Sequence, residues 1–575
     1  MAMQAAGQRD KAIDLVRVHL RLRSKDAEAV NLMGVLLQGA GQLEESERWL
    51  RRAIDMNPRN AAALNNLGTT LAFASRRDEA IAQWERATRI APGYPLPWIA
   101  LTQAYPQSNQ AARGIEAGRR AVTLAPEAPA AHHNLAFACF QAGLIDDAIA
   151  ACRDAIGRLA SEPRLHSGLL FMLNYGARPL YEVLGAHRAF GSACVPSRPP
   201  ARTDPSPARP IRVGLLSGDL RDHSVGFFAE SLLEHRPDGV ELVAFQTTMP
   251  SPGDAVAVRM SGRFDRSFDV LTLSDMALDE RIRSERIDVL VELGGHTGGN
   301  RLTALASKPA PVIVTAIGYP NTTGLPAVDW RVVDSITDPP GAEAYCTERL
   351  LRLDPCFLCY RPPDLAVEPS MPAAEPITFG SFNNSAKIGA QCTALWARVL
   401  QAVPGSRLLM KSQTLADPAV QESIRRRLGE GGIAEDRVEL ISQSSTRAEH
   451  LALYGRVHVA LDSVPYNGTT TTCEALWMGV PVVALRGDRH ASRVAASLLT
   501  AAGHPEWVAE DTDGFVRIAS ALVADMPRLA LIRTSLRDEL RDSPLLDAKA
   551  YAQRFHSAIR GCWREWCESP PRAGA

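Results

Sequence analysis

The sequence lacks the marks of several common functions. Lysine and arginine total 63 against 64 acidic residues among 575 positions, a formal charge of −1. So small an imbalance gives no long-range field for nucleic acid or an anionic membrane surface, and neither is expected as a partner. No stretch approaches the roughly 20 apolar residues that span a bilayer. The opening, MAMQAAGQRDKAIDLV, has no apolar signal-peptide centre. Cysteine is thinly scattered: ten residues, of which only Cys356 and Cys359 form a CxxC, with no second metal-type pair. All ten read as reduced thiols of a cytoplasmic protein. The strand-like runs are followed by no GxGxxG, and there is no Walker A sequence, which excludes the usual nicotinamide and NTPase fingerprints. The single DxD, Asp511–Asp513, is expected to cap the helix after it, so neither a metal ion nor another cofactor is expected.

What is present is a repeat. Pro58, Pro92 and Pro126 are spaced by 34, as are Ala53, Ala87 and Ala121, and Leu67, Leu101 and Leu135. The phrases AGQRDKA, AGQLEES, ASRRDEA and AGLIDDA recur at the turns. This is the tetratricopeptide pattern, in which helix pairs stack into a superhelix because one pair cannot bury its apolar face alone. A half repeat is placed at 1–25, full repeats at 26–59, 60–93, 94–127 and 128–161, and a further helical segment to 192. The concave groove of such an array suits protein or peptide acceptors; Asn66 and Asn134 are candidates for gripping a peptide backbone through their amides.

Residues 193–210 contain VPSRPPARTDPSPARP, a proline-rich linker that cannot continue a helix. Beyond it the texture changes to apolar, branched runs ending in glycine: IRVGLLSGD, IDVLVELGG and PVIVTAIG. After a second proline-rich connector come ITFGSFN, SRLLMK, RVELIS, VHVALDS and PVVALRG. These read as buried parallel strands alternating with helices. Two Rossmann-like lobes are expected, at 211–375 and 376–575, with ligand bound outside the carboxyl ends of their strands.

Most of the chemistry sits in LDSVPYNGTTTTCEALWMGVPVVAL, residues 461–485. VHVALDS reads as a strand and CEALWMG (473–479) as the start of a helix, so the loop between them ends at a helix entrance. Free N–H groups and the helix dipole attract an anion there. Thr469, Thr470 and Thr471 offer hydroxyl and backbone donors, and Glu474 can accept from ribose hydroxyls. Asn384 and Lys387 follow another strand, where lysine can neutralise a phosphate; Lys411 is a weaker phosphate candidate. Arg447 and His450 begin a helix, with His450 able to stack on a base. In the first lobe, His223 can accept a proton from a hydroxyl nucleophile. His296 and Thr297 lie in a glycine-rich loop, and Gly318, Tyr319 and Pro320 end a third strand; together they suggest a sugar and acceptor site.

At GYPNTTG (318–324), FGSFNNSAKI (379–388), LDSVPYNGTTTTCEALWMGVP and ASRVAASLLT (491–500) the sequence resembles the protein O-GlcNAc transferase family. The resemblance runs over nearly the whole chain. It implies tetratricopeptide repeats joined to a two-lobed GT-B glycosyltransferase. It also implies UDP-GlcNAc as donor, no metal ion, and inverting transfer to serine or threonine hydroxyls. Carried over, Asn384 and Lys387 meet the diphosphate, Arg447 and His450 the uridine, Thr469–Thr471 the phosphates and Glu474 the ribose. His223, Thr297, Ile317, Gly318, Tyr319, Pro320 and Tyr466 surround the sugar, with His223 and Lys387 as the catalytic candidates. Many animal members carry histidine where Thr469 stands and aspartate where Glu474 stands, and the insertion between their lobes is here a short connector. NTTGLP, VELGGHT and GTTTTCE are similar to the Spindly-type branch, which implies GDP-fucose as the alternative donor. A repeat scaffold with inactive lobes is the alternative from another class.

Overall fold

The computed structural model describes residues 9–373 and 375–568, so the first eight residues of the expected half repeat lie outside the described residues. The chain divides into two compact units, one of Met1–Leu159 with Asp417–Ala419, the other of Ala160–Ala416 with Val420–Ala575.

The first unit is all helix: α1 (Arg9–Leu22), α2 (Ala27–Gly39), α3 (Leu43–Met56), α4 (Ala61–Phe73), α5 (Arg77–Ile90), α6 (Pro95–Gln107), α7 (Ala111–Leu124), α8 (Pro129–Gln141) and α9 (Ile145–Arg158). The 34-residue pattern acts through close crossings. A Cβ on Gly34 would lie 2.5 Å from Leu50, and one on Gly68 2.6 Å from the Trp84 indole nitrogen. Leu50, Leu67, Ala53 and Ala87 are buried in one continuous core with Trp84. Asp26 and Asn60 cap α2 and α4, their side-chain oxygens accepting N–H groups of the first turn. Asn66 and Asn134 are already occupied. Asn66 donates to Asn31 Oδ1 at 3.0 Å and Asn134 to the Ile99 carbonyl at 3.1 Å.

The second unit opens with α10 (Pro163–Leu173) and α11 (Leu180–Ala193). The expected boundary at 192 therefore moves to 159. The physical reason is polar: Ser167, Asn174 and His187 on or beside these helices bond to the loops of the first lobe at His296, Tyr319 and Asn321.

The first lobe is a seven-stranded parallel sheet ordered β3-β2-β1-β4-β5-β6-β7. Its strands are β1 (Ile211–Ser217), β2 (Val240–Gln246), β3 (Arg266–Asp269), β4 (Val289–Glu292), β5 (Val312–Thr315), β6 (Trp330–Val333) and β7 (Arg349–Arg352). The second lobe is a six-stranded parallel sheet ordered β10-β9-β8-β11-β12-β13. It comprises β8 (Thr378–Ser381), β9 (Arg407–Lys411), β10 (Val438–Ile441), β11 (Val459–Leu461), β12 (Val482–Leu485) and β13 (Val508–Ala509). Every strand expected from the apolar runs is present. The expected lobe division at 375 needs one correction, because the final helix, Ala548–Glu568, packs on the first lobe. Tyr551 donates to the Phe357 carbonyl at 2.8 Å, His556 bonds the Leu232 carbonyl at 3.0 Å, and the Arg209 guanidinium lies 4.7 Å from the centre of the Trp563 ring. Asp511 caps its helix as expected, accepting from the Gly514 N–H at 2.6 Å.

Candidate active site

Both sheets change direction beside their first strand: β1 lies between β2 and β4, and β8 between β9 and β11. Connections leaving such neighbours go to opposite faces, and a crevice opens outside their carboxyl ends. His223 follows β1, Thr297 follows β4, Asn384 and Lys387 follow β8, and Tyr466 to Glu474 follow β11.

Lys387 is the most perturbed cation of the crevice. Its Nζ donates to the Asn467 carbonyl at 2.6 Å and lies 3.8 Å from the centre of the Tyr466 ring. Burial pushes its pKa down to about 8, while the Asp462 carboxylate pulls the other way. Asp462, at the end of β11, is pushed up to about 6, again by burial, with hydrogen bonds and Lys387 opposing. Its Oδ1 accepts from the Gly468 N–H at 2.7 Å and from Asn383 at 3.3 Å.

The threonine run enters a helix earlier than expected: the helix spans Thr470–Trp477, three residues ahead of Cys473. Thr469 occupies the cap position with no side-chain cap bond. The first-turn N–H groups have no intrahelical acceptor. Thr471 donates to Asn383 Oδ1 at 2.9 Å, and the Thr470 hydroxyl is buried without a partner. An oxyanion set against this turn would meet donors and no competing negative charge on the helix's first turn.

Beside it runs a chain of charged and polar groups. Lys411 Nζ donates to His450 Nδ1 at 2.9 Å, and His450 Nε2 donates to Glu474 Oε2 at 3.0 Å. Arg447 reaches Glu474 Oε1 at 3.5 Å and Asp222 of the other lobe at 3.0 Å, with its guanidinium 4.0 Å from the centre of the Phe227 ring. The ammonium on Nδ1 fixes the histidine tautomer with its proton on Nε2. Lys411, named above for phosphate, is instead engaged with the histidine.

In the first lobe His223 caps the Ser224–Glu234 helix, its Nδ1 accepting from the Val225 N–H at 3.2 Å. Burial lowers its pKa, with Asp219 opposing. The neutral ring therefore carries its proton on Nε2 and offers a donor there rather than a basic nitrogen. Thr297 donates to the Gly294 carbonyl at 2.8 Å. Ile317 has φ +65°, and the Gly318 N–H donates to the Ala316 carbonyl at 2.8 Å, a tight three-residue turn about a β-branched residue in the left-handed region. Such strain costs about 1–3 kcal/mol and clusters at functional sites. A Cβ on Gly318 would fall 2.0 Å from the Leu293 carbonyl oxygen. Pro320 is partly exposed beside it.

Three expectations are corrected. Tyr319 is internal: it is 6 % exposed, and its hydroxyl is held by Asn174 at 3.0 Å, His187 at 3.0 Å and the Leu170 carbonyl at 2.9 Å. His296 is likewise internal, bonded to Ser167 at 2.9 Å and the Thr323 carbonyl at 2.8 Å. Asn384 is exposed and spends its amide oxygen on the Ala386 N–H at 3.0 Å; its neighbour Asn383 is the buried one. Asn383 and Asp462 escaped the sequence reading, as did Tyr175, whose ring meets Tyr466 edge-on at 5.0 Å. The double asparagine in FGSFNNSAKI and the aspartate closing VHVALDS were the available signals. Among the described residues, no cluster of three or more His, Cys, Asp or Glu is arranged to hold a metal ion.

Comparison with known proteins agrees with this architecture. The chain matches glycosyl transferase family 41 over residues 197–360 and 370–555, and tetratricopeptide repeats over 31–95 and 100–163. It is 39 % identical over 370 residues to an Arabidopsis thaliana protein named probable UDP-N-acetylglucosamine–peptide N-acetylglucosaminyltransferase SPINDLY. That alignment covers 63 % of this chain and 40 % of the relative, so the chain spans well under half the length of such relatives. The Arabidopsis thaliana protein named SEC is 25 % identical over 371 residues, covering 62 % of this chain and 37 % of the relative. The solved structure of a Thermobaculum terrenum O-GlcNAc transferase mutant superposes with a TM-score of 0.77 at 33 % identity, covering 94 % of this chain and 98 % of the other. The repeats, the two parallel-sheet lobes and the family match over both lobes lead to one conclusion: the chain belongs to glycosyl transferase family 41, the O-GlcNAc transferase type.

Proposed function

We propose that the second unit transfers N-acetylglucosamine from UDP-GlcNAc to serine or threonine hydroxyls of proteins, with inversion and without a metal ion. The observation that carries this reading is the placement of Lys387 and the uncapped Thr470 helix entrance around the Asn467–Gly468 turn. A diphosphate seated there is met by one half-buried cation and a row of backbone donors. Lys387 and Thr469–Thr471 stabilise the charge that grows on the leaving nucleotide, the electrostatic contribution that dominates many enzymes. His450 lies against the base with Arg447 beside it, and Glu474 accepts from the ribose. Thr297, Ile317, Gly318, Pro320 and Tyr466 border the sugar. His223 presents its Nε2–H to the acceptor hydroxyl and orients it, so the proton leaves through the departing phosphate or through water.

Protein acceptors are presented by the repeat groove, which raises their effective concentration at the crevice. No helix among the described residues is long and apolar enough to cross a membrane. A second donor, GDP-fucose, is what the resemblance of NTTGLP, VELGGHT and GTTTTCE to the Spindly-type branch implies, and the SPINDLY relative is more similar than SEC, 39 % against 25 %, although both are named N-acetylglucosaminyltransferases. Calorimetric titration with UDP and GDP decides. Binding of UDP supports the GlcNAc reading, binding of GDP the fucose reading, and binding of neither removes the donor site altogether. Mass spectrometry of host proteins with and without the gene then reports the sugar mass and the acceptor residues.

A further inference from the structure

One peptide unit in the crevice is gripped from both sides. The Asn467 carbonyl accepts from Lys387, and the N–H of the same peptide, on Gly468, donates to Asp462 Oδ1. Asp462 Oδ1 also accepts from Asn383 Nδ2, and Asn383 Oδ1 accepts from the Thr471 hydroxyl. One buried carboxylate and one buried amide thus tie together the lysine after β8, the turn after β11 and the first turn of the threonine helix. The packing leaves no slack: a Cβ on Gly468 would lie 2.6 Å from Thr471 Oγ1 and 2.9 Å from Asp462 Oδ1. Asp462 is 1 % exposed, and its Oδ2 has no partner. A buried carboxylate with an unsatisfied oxygen is costly unless a cation lies near. Lys387, on the other end of the same Asn467–Gly468 peptide, is the cation that offsets it, and its ammonium lies against the Tyr466 ring.

We propose that Asp462, with Asn383, is the positioning hub of the diphosphate site: the carboxylate holds the proton on Lys387, and the hydrogen bonds aim Gly468 and Thr471 at the phosphates. The hub rests on the donor-site reading above. Its chemistry has a definite sign. Burial alone drives Lys387 toward the neutral amine, and Asp462 opposes that. Removing the carboxylate while keeping its shape leaves the lysine deprotonated at a lower pH, and a neutral amine does not neutralise a diphosphate.

Asp462→Asn keeps the Oδ1 acceptor and removes the charge. UDP, or GDP if the wild type prefers it, is titrated calorimetrically across about pH 6.5–9.5, the range in which a depressed lysine changes charge. Wild-type affinity should decline as pH passes about 8. In Asp462→Asn the decline should begin about one pH unit lower. Lys387→Met should abolish the decline, and adding Asp462→Asn to it should change affinity by less than about twofold, since the two residues act as one. An Asp462→Asn profile that superposes on the wild type overturns the hub. Should Asp462→Asn lose its thermal transition, Asn383→Ala replaces it: a loss of about tenfold in affinity is expected, and an unchanged affinity overturns the hub. A wild type that binds neither nucleotide overturns the donor site and the hub together, which separates that failure from failure of the hub alone.

Discussion

At the scale of single residues, the site depends on keeping a cation in a place that disfavours charge. Lys387 is depressed to about 8 by burial, whereas an unfolded lysine titrates near 10.5. The unfolded chain therefore binds more protons between about pH 8 and 10.5, and stability rises with pH across that window. Phosphate binding runs the other way, because it needs the charged form. Lys387→Ala should abolish sugar transfer and leave the chain folded with a lower thermal transition, because the buried Asp462 carboxylate loses its cation, as read by scanning calorimetry and a transfer assay. His223 makes a separable prediction. His223→Asn retains a helix cap but not the Nε2–H. Its kcat should fall by about tenfold or more with KM for the donor nearly unchanged, the mark of an interaction made in the transition state. The wild-type profile should show no acid limb attributable to His223 acting as a base, because its Nδ1 accepts from the Val225 N–H.

Elements were easier to read from the sequence than their partners. The apolar runs located strands β1, β4, β5 and β8–β12, because a strand buried on both faces must be apolar at every position. β2, β3, β6, β7 and β13 did not stand out: WRVV, RLLR and RSFD carry arginines whose side chains are answered by acidic residues from elsewhere in the lobe, as Arg266 is by Glu285. The threonines were recognised as a helix entrance, but the helix begins within them, since Thr471 is held by Asn383, a tertiary contact that propensity does not weigh. Tyr319 and His296 were misjudged for one reason. Their partners Asn174, His187 and Ser167 lie over a hundred positions away, and no local pattern announces them. That assembly has its own signature. His187 is pushed down to about 4 and His296 well below its ordinary value, both by burial. The unfolded chain takes up these protons as pH falls from about 6.5, and the native chain does not, so stability is lost on acidification. His187 should cost about 2 kcal/mol at pH 5 relative to neutral pH, and His296 acts in the same direction. Urea midpoints measured at the two pH values check the sum, and His187→Phe should flatten the difference.

On the scale of the whole molecule, the repeat period and the two proline-rich connectors marked the architecture, whereas the seam between the units did not fall at a connector. It lies at Leu159, upstream of α10 and α11, whose side chains run into the first lobe and, through Tyr175, to Tyr466 beneath Lys387. A chain beginning at Ala160 should therefore fold and bind nucleotide as the intact protein does. One beginning at Cys194 should aggregate or fail to bind, because Tyr319, His296 and Tyr466 lose their neighbours. Gel filtration and UDP titration of the two truncations give the answer. The last helix closes the same unit from the other end, with Tyr551, Phe555 and Trp563 buried.

The position of that seam makes the number of 34-residue modules an independent variable. Because α10 and α11 pack with the lobes, the number of repeats upstream can vary without touching the neighbours of Tyr319, His296 and Tyr466. On the acceptor reading proposed above, lengthening or shortening the array should change which proteins are modified, while turnover on a short free peptide stays the same.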